Sequence, residues 1–344
     1  MEKNYVTMRD IAQKLGLSRS AVSFVLNDRY DGIRLSEDVR LKIKKTAQEM
    51  GYCRNAVVQS LVSGRTRHIA FLTRKKTSYE FQSRVINGFV DNLTRKHYSI
   101  QFFHIENENI EETFRKIVEQ RIEGIATYVI GNTLEYCLQK GKERNIPVVV
   151  LDHPVQFDSG IYVKSDDVQG TRDSVKYLHD IGHRHIGYFG LGGNGGLRKE
   201  AFADAAKEFG IINNDIDNRF SSNHLEQRRM ADELLSRPAS ERPTAYCCAS
   251  DYIAAILEFG AAKHGVKVPE DLSIIGFSDL QDVALIHPGL STVKQSFEQE
   301  GQLAADLLIE EIERKKCLSF KKPVFRQVET ELLVRDTTMP LKKN

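Results

Sequence analysis

Tryptophan is absent from the 344-residue chain, and cysteine and proline are scarce at five and eight. Five scattered thiols, an odd number, exclude a disulfide framework of the kind that staples small secreted domains. No Cys-x-x-Cys or His-Glu-x-x-His spacing occurs, so the residues present no metal motif. His183 and His185, two apart before an apolar run, read as a turn between helix and strand. Cys247 and Cys248 sit inside an apolar run and read as buried thiols. No apolar run approaches the ~20 residues that a membrane-spanning helix needs. Met1 runs straight into polar residues instead of a secretory leader. A cytoplasmic protein with no membrane partner is therefore expected. Neither sign of charge dominates, since 49 Lys and Arg face 47 Asp and Glu.

That balance hides an asymmetry. Residues 1–67 hold 13 Lys and Arg against 7 Asp and Glu, leaving 36 against 40 for the rest. A basic head on a slightly acidic body fits phosphate contact better than it fits general solubility. Within the head, Thr7-Met8-Arg9-Asp10 has the form of a capping box. Ile11, Ala12 and Leu15 follow on one helical face, and Gly16 permits the left-handed turn that ends the helix. Ser18 can cap a second helix in which Ala21, Val22 and Val25 face inward and Arg19, Ser20, Ser23 and Phe24 face outward. Two short helices joined by a glycine turn, with a basic and small-polar outer face, have the form of a helix-turn-helix; a chance helical hairpin is the bland alternative. Ser36 begins a third helix with Val39, Ile43, Ala47 and Met50 as its apolar stripe and Gly51 as its stop.

From His68 onward apolar strand runs alternate with amphipathic helices. Strands are expected at Ile69–Thr73, Ile100–His104, Gly124–Val129, Val148–Asp152, Ile186–Gly190, Ile216–Ser221, Thr244–Ala249 and Leu272–Gly276. Helices are expected at Gln82–Thr94, Ile110–Gln120, Val168–Ile181, Arg198–Phe209, Leu225–Leu235 and Tyr252–His264. Apolar strands alternating with helices imply right-handed βαβ units and parallel sheets. The fold class is thus an all-α helix-turn-helix head plus an α/β core of two doubly wound lobes, with ligands expected in the cleft between them. The boundaries read as 1–51 for the head, 52–67 for a linker and 68–340 for the core, with the tail from Pro340 frayed.

At this point the chain resembles the LacI/GalR (lactose-repressor/galactose-repressor) family of bacterial transcription regulators. The head carries Val6, Thr7, Asp10, Ile11, Ala12, Gly16, Ser18, Val22, Ser23, Val25, Leu26 and Asn27 of that family's pattern, and the linker matches its hinge at Tyr52, Asn55, Leu61 and Gly64-Arg65-Thr66. Downstream, Leu178, Gly182-His183-Arg184, Val268-Pro269, Ser273-Ile274-Ile275-Gly276-Phe277 and Leu290-Ser291-Thr292-Val293 also match. Leu333-Val334-Arg335-Asp336-Thr337 resembles the terminal strand. The resemblance implies a core similar to periplasmic sugar-binding proteins and a homodimer on a pseudo-palindromic operator. It implies DNA contacts from Thr7, Ser18, Arg19, Ser20, Ser23, Phe24, Asn27, Tyr52, Arg54 and Asn55, with Leu61 as a minor-groove wedge. It implies an effector cleft lined by Tyr79, Phe81, Asp152, Arg198, Phe220, Ser250 and Ser278, a small-molecule effector of carbohydrate type, no cofactor and no catalytic residues. Asp251 is expected to cap the helix that follows it.

The chain departs from the family pattern in four places. Ala21 stands where Thr is usual, Arg54 where a hinge Pro is usual, Ser250 in place of Asn, and Ser278 in place of an Asp that grips sugar hydroxyls. A purine- or nucleotide-type effector and a protein co-regulator therefore stay open beside the sugar. Gly190-Leu191-Gly192-Gly193-Asn194-Gly195 is also a GxGxxG match after a strand, with Asp215 about twenty residues on. It leaves an NAD-binding oxidoreductase as the rival reading, opposed by its mid-chain position and the want of a Lys/His/Tyr set. A solute-binding protein is opposed by the head.

Overall fold

A computed structural model describes residues 5–27, 35–53, 60, 64–74, 80–105, 109–152, 157–190, 196–221, 223–285, 287, 289–314 and 317–341. The chain divides into two compact units, Met1–Thr66 and Arg67–Asn344.

In the first unit, α1 (Met8–Leu15), α2 (Arg19–Leu26) and α3 (Glu37–Glu49) pack around Ile11, Val22, Val25, Ile43 and Ala47. Their ends follow from local chemistry. The Thr7 backbone N–H donates to the Asp10 carboxylate at 2.8 Å, while the Asp10 N–H donates to the Thr7 hydroxyl, which satisfies two orphan donors of α1. Gly16 ends α1 at φ 64°, a conformation that costs glycine nothing. The Ser18 hydroxyl accepts from the Ala21 N–H at 3.1 Å and starts α2. Ser36 occupies the cap position of α3, but its side chain makes no capping bond, contrary to the sequence reading.

The second unit runs β1 (His68–Arg74), α4 (Glu80–Arg95), β2 (Ser99–Ile105), α5 (Ile110–Glu119), β3 (Gly124–Thr127), α6 (Gly131–Arg144), β4 (Val148–Leu151) and β5 (Ile161–Ser165). It continues through α7 (Asp167–Asp180), β6 (Ile186–Gly190), α8 (Gly196–Glu208), β7 (Arg219–Phe220), α9 (His224–Leu235), β8 (Ala245–Cys248), α10 (Asp251–Lys263) and β9 (Ser273–Ser278). The last elements are α11 (Gln281–Ala284), β10 (Ser291–Gln295), α12 (Phe297–Glu313), β11 (Val324–Val328) and β12 (Thr330–Leu333).

These strands form two six-stranded sheets, ordered β11-β5-β4-β3-β1-β2 and β12-β10-β9-β8-β6-β7. All pairings between these strands are parallel except β10 with β12. The order places strands that follow one another in sequence on opposite sides of β1 and of β6, which is the doubly wound arrangement with a switch point in each lobe. The chain passes between lobes three times, after β5, after β10 and after β11, because α7 packs in the second lobe and α12 packs on α4 and β5 of the first. Where the crossings meet, the Asp166 N–H donates to the Val328 carbonyl at 2.9 Å and the Thr330 hydroxyl to the Asp166 carbonyl at 3.2 Å. The helices α4 and α12 approach so closely that a Cβ on Gly88 or Gly301 would overlap the partner backbone at Glu298 or Val85.

The structure corrects several sequence expectations. The strand expected at Ile216–Ser221 shrinks to Arg219–Phe220, because Asp215–Asp217 winds into a 3-10 turn in which the Asp217 carboxylate accepts from the Asn214 N–H. The terminal strand is Thr330–Leu333 and not Leu333–Thr337. The tail is not frayed at its start, since the Leu341 N–H donates to the Ile181 carbonyl at 3.0 Å. His183 is buried, with its ring nitrogens 2.8 Å from the Thr244 hydroxyl and 3.2 Å from the Met339 carbonyl, a structural role that fits the turn reading.

Candidate nucleic-acid interface and effector cleft

The head presents Arg19 and Ser20 exposed on the first turn of α2, with Ser23 and Phe24 half-buried. The Asn27 side-chain amide donates to the Ser23 hydroxyl at 3.1 Å, so these two expected DNA contacts are held together. Thr7 and Ser18 spend their hydroxyls on caps, which aims the helix starts they terminate. Tyr52 is half-buried against the head core and its N–H donates to the Ala47 carbonyl at 2.9 Å. Arg54, Asn55 and Leu61 lie outside the described residues.

In the core, Arg198 sits in the first turn of α8, where the structure gathers partners from four elements around it. Its Nη1 donates to the Ala249 carbonyl at 2.6 Å and its Nη2 to Asp167 Oδ1 at 3.3 Å and Gln295 Oε1 at 3.2 Å. The Nε lies 3.2 Å from Asp167 Oδ2, and the guanidinium stacks 3.8 Å above the centre of the Phe277 ring. Burial opposes the charge on Arg198, and the carboxylates of Asp167 and Asp152 outweigh it. The Ser278 hydroxyl donates to the same Gln295 oxygen at 2.8 Å. Asp167 and Gln295 stand beside two of the lobe crossings, so this cluster is built where the lobes join.

Asp152 lies just past β4 with a left-handed backbone, φ 49°. Asp152 is exposed, at the strand end where a parallel sheet places its ligand contacts. Desolvation, and then the charge of Asp167, push its pKa up to about 7, while Arg198 and Lys164 pull the other way. Beneath it Glu300 is fully buried, accepts from the Ser165 hydroxyl at 3.3 Å, and is pushed well above the usual carboxylate range by burial and by Asp152 and Asp167. Ser278 and Asp279 share the strained backbone, at φ 115° and 54°, and such outliers cluster where a site dictates geometry.

The remaining expected residues divide. Phe220 is half-buried against Tyr188, with the Lys199 ammonium 4.2 Å over its ring. Phe81 packs on Phe297, centroids 5.9 Å apart, in the first lobe. The Ser250 hydroxyl caps α10 by accepting from the Ile253 N–H at 3.4 Å. Asp251 does not cap that helix as expected; it is buried and accepts from the Leu280 N–H at 2.7 Å and the Thr292 hydroxyl at 2.5 Å. Tyr79 and Leu191–Gly195 lie outside the described residues. Asp167, Gln295 and Phe277, three of the four partners that fix Arg198, were absent from the sequence-based set. Asp167 lies one residue before the helix expected at Val168–Ile181.

Comparison with known proteins identifies the fold and the family. Residues 7–55 match the family of bacterial regulatory proteins, lacI family, and residues 175–338 a periplasmic binding protein-like domain. The chain is 30% identical over 345 residues to the HTH-type transcriptional repressor PurR of Vibrio vulnificus strain CMCP6, covering 96% of this chain and 98% of that protein. The PurR of Vibrio campbellii is 28% identical over 97% of this chain and 99% of its own. A lac repressor dimer bound to operator and the anti-inducer ONPF superposes with a TM-score of 0.76 at 21% identity, covering 98% of this chain and all of that one. A transcriptional regulator CelR–cellobiose complex superposes with a TM-score of 0.67 at 22% identity, covering 96% and 99%.

The raised pKa of Asp152 predicts a pH signature. A carboxylate whose folded pKa exceeds its unfolded value favours the fold below the usual carboxylate range, and that contribution is lost as pH rises toward 7. Asp152→Asn should therefore stabilise the ligand-free protein more at pH 8 than at pH 4. Urea melts at both pH values measure it, and an equal effect at the two would mean that Asp152 is not perturbed.

Proposed function

The chain belongs to the lacI family of bacterial regulatory proteins, and on that premise we propose that α2 reads double-stranded operator DNA while a small molecule between the lobes sets the affinity. It is a DNA-binding transcriptional repressor under ligand control and not an enzyme, so the oxidoreductase reading of the Gly190–Gly195 stretch falls. No described helix is long and apolar enough to cross a membrane, and action on an operator assigns the protein to the cytoplasm. The observation that carries the DNA reading is the exposure of Arg19 and Ser20 at the capped start of α2, the end of a recognition helix that meets base edges. Arg19 is assigned a bidentate contact to guanine, Ser20, Ser23, Phe24 and Asn27 the flanking base contacts, and Thr7, Ser18, Tyr52 and Arg54 the backbone. Leu61 is assigned the minor-groove wedge and Asn55 the start of the hinge.

For the effector, the strand ends supply a carboxylate acceptor in Asp152 and an aromatic face at Phe220. Arg198, already paired with Asp167, Gln295 and the Ala249 carbonyl, is assigned to order the site and to face the ligand from there. That combination suits an uncharged, donor-rich ring such as a sugar or sugar derivative. Tyr79, Phe81, Ser250 and Ser278 complete the proposed lining. A homodimer is proposed through Phe259 and Leu285, which are 70% and 84% exposed. They flank the Glu258–His287 pair, 3.5 Å apart, on adjoining elements. We place the contact with a second copy on these two side chains, and two-fold pairing doubles the length of DNA read.

Three outcomes test these assignments. Arg19→Ala should weaken binding to an operator selected from a random duplex pool by about 5- to 150-fold, the ~1–3 kcal/mol of one bidentate base contact, and relax preference at one position. A uniform loss across sequences would reassign Arg19 to phosphate. In a thermal-shift screen of sugars, purine bases and nucleosides, a sugar should raise the melting temperature in the native chain and not in Asp152→Asn. Hits confined to purines would overturn the sugar assignment. The double substitution Phe259→Asp with Leu285→Asp should halve the sedimenting mass, and an unchanged mass would place the dimer contact elsewhere.

A further inference from the structure

The first lobe extends two charged side chains of α4 onto the second. The Glu80 carboxylate accepts the backbone N–H of Gln281 at 2.9 Å and of Asp282 at 3.0 Å. These belong to the first two residues of α11 and have no partner within that helix. Arg84 donates from Nη1 to the Asp279 carbonyl at 3.3 Å. Its Nε and Nη2 meanwhile grip both oxygens of Glu298, on α12 of its own lobe, at 2.8 and 3.1 Å. The Phe297 ring lies 5.1 Å from the guanidinium carbon. Arg84 is thus fixed from its own side before it reaches across. The Glu80 and Arg84 side chains are only 11% and 17% exposed, so water screens these charge-assisted bonds weakly.

The segment they grip, Asp279 to Asp282, begins one residue after Ser278. Ser278 and Asp279 are the two left-handed residues of this loop, and the Arg335 guanidinium holds the Asp279 carboxylate at 2.7 Å. Through its hydroxyl, Ser278 is tied to Gln295 and hence to Arg198. A continuous path of polar contacts therefore runs from the cleft to the edge where α4 meets the second lobe.

We propose that Glu80 and Arg84 form a latch between the lobes, closed on residues 279–282, and that displacement of Ser278 in the cleft is what loosens it. The regulatory half of this inference rests on the cleft being the effector site; the latch itself does not. A ligand that binds Ser278 and Gln295 better in one lobe arrangement shifts the balance between latched and open forms, which is the differential affinity that any coupling requires.

The test uses the full chain with Cys53→Ser, and with Glu135→Cys on α6 and Lys207→Cys on α8 carrying spin labels, diluted with unlabelled protein. Pulsed dipolar spectroscopy then reads the distance between lobes with neither ligand nor DNA present, so a failed ligand screen leaves the measurement intact. Glu80→Gln should lengthen and broaden the distance distribution. Gln281→Pro should do the same, because it removes one N–H from the opposite side at the first helical position, after an already extended Leu280, where proline fits. The double variant should open no further than Glu80→Gln alone. Ser278→Ala should shift the distribution in the native background and not in Glu80→Gln. An unchanged distribution in a Glu80→Gln protein that still melts cooperatively would overturn the latch. Additive effects of Ser278→Ala and Glu80→Gln would overturn the link to the cleft.

Discussion

A guanidinium removed from bulk water must be surrounded by acceptors or it unfolds its surroundings, and Arg198 meets that demand with partners drawn from across the second lobe. Asp167 opens α7, the Ala249 carbonyl follows β8, Phe277 lies in β9 and Gln295 ends β10. Each partner is positioned by a different element, so all of those elements must be in register before the charge is satisfied. Such a network contributes less to net stability than its contacts suggest, since desolvation opposes the attraction. Its effect is to make one arrangement of strand ends far better than its neighbours. Two of the partners adjoin lobe crossings, which ties the geometry of the cleft to the geometry of the joint.

The head was legible because its signals are local. Thr7 with Asp10, Gly16 and Ser18 each act within four residues, and a reader of sequence needs nothing distant to place them. Strands rich in Val, Ile and Phe were legible for a related reason: burial on both faces of a parallel sheet leaves an unbroken apolar run. The strands that escaped are those at the lobe junction. β5 ends in Lys164 and Ser165, β10 in Lys294 and Gln295, and β11 carries Arg326 and Gln327. Polar side chains there serve the cleft or the sheet edge, so neither the apolar run nor the two-residue alternation appears. β7 was overextended because Ile216 looked like strand while Asp217 was bending the chain back on Asn214.

The cleft was half legible for the same physical reason. Asp152 and Arg198 follow strand ends, where a parallel sheet puts its ligand contacts, and position alone nominated them. What they do there depends on Asp167, Gln295 and Glu300, separated from them by up to about 150 residues in sequence, and no periodicity encodes that meeting. Asp251 shows the converse. It had the look of a cap, yet a neighbouring serine took that role and freed the carboxylate to bind two other segments.

Three passages of the chain between lobes also govern what a protease or a truncation can do. Neither lobe is a contiguous stretch of polypeptide: the first needs β11 and α12 from the far end, and the second takes back β12 after them. A single nick at any passage leaves the lobes covalently joined through the other two. A shortened gene ending near Ser165 would encode a first sheet lacking its outermost strand and the α12 cover that packs on α4. The two lobes are therefore never separable parts of the polypeptide, however they are arranged.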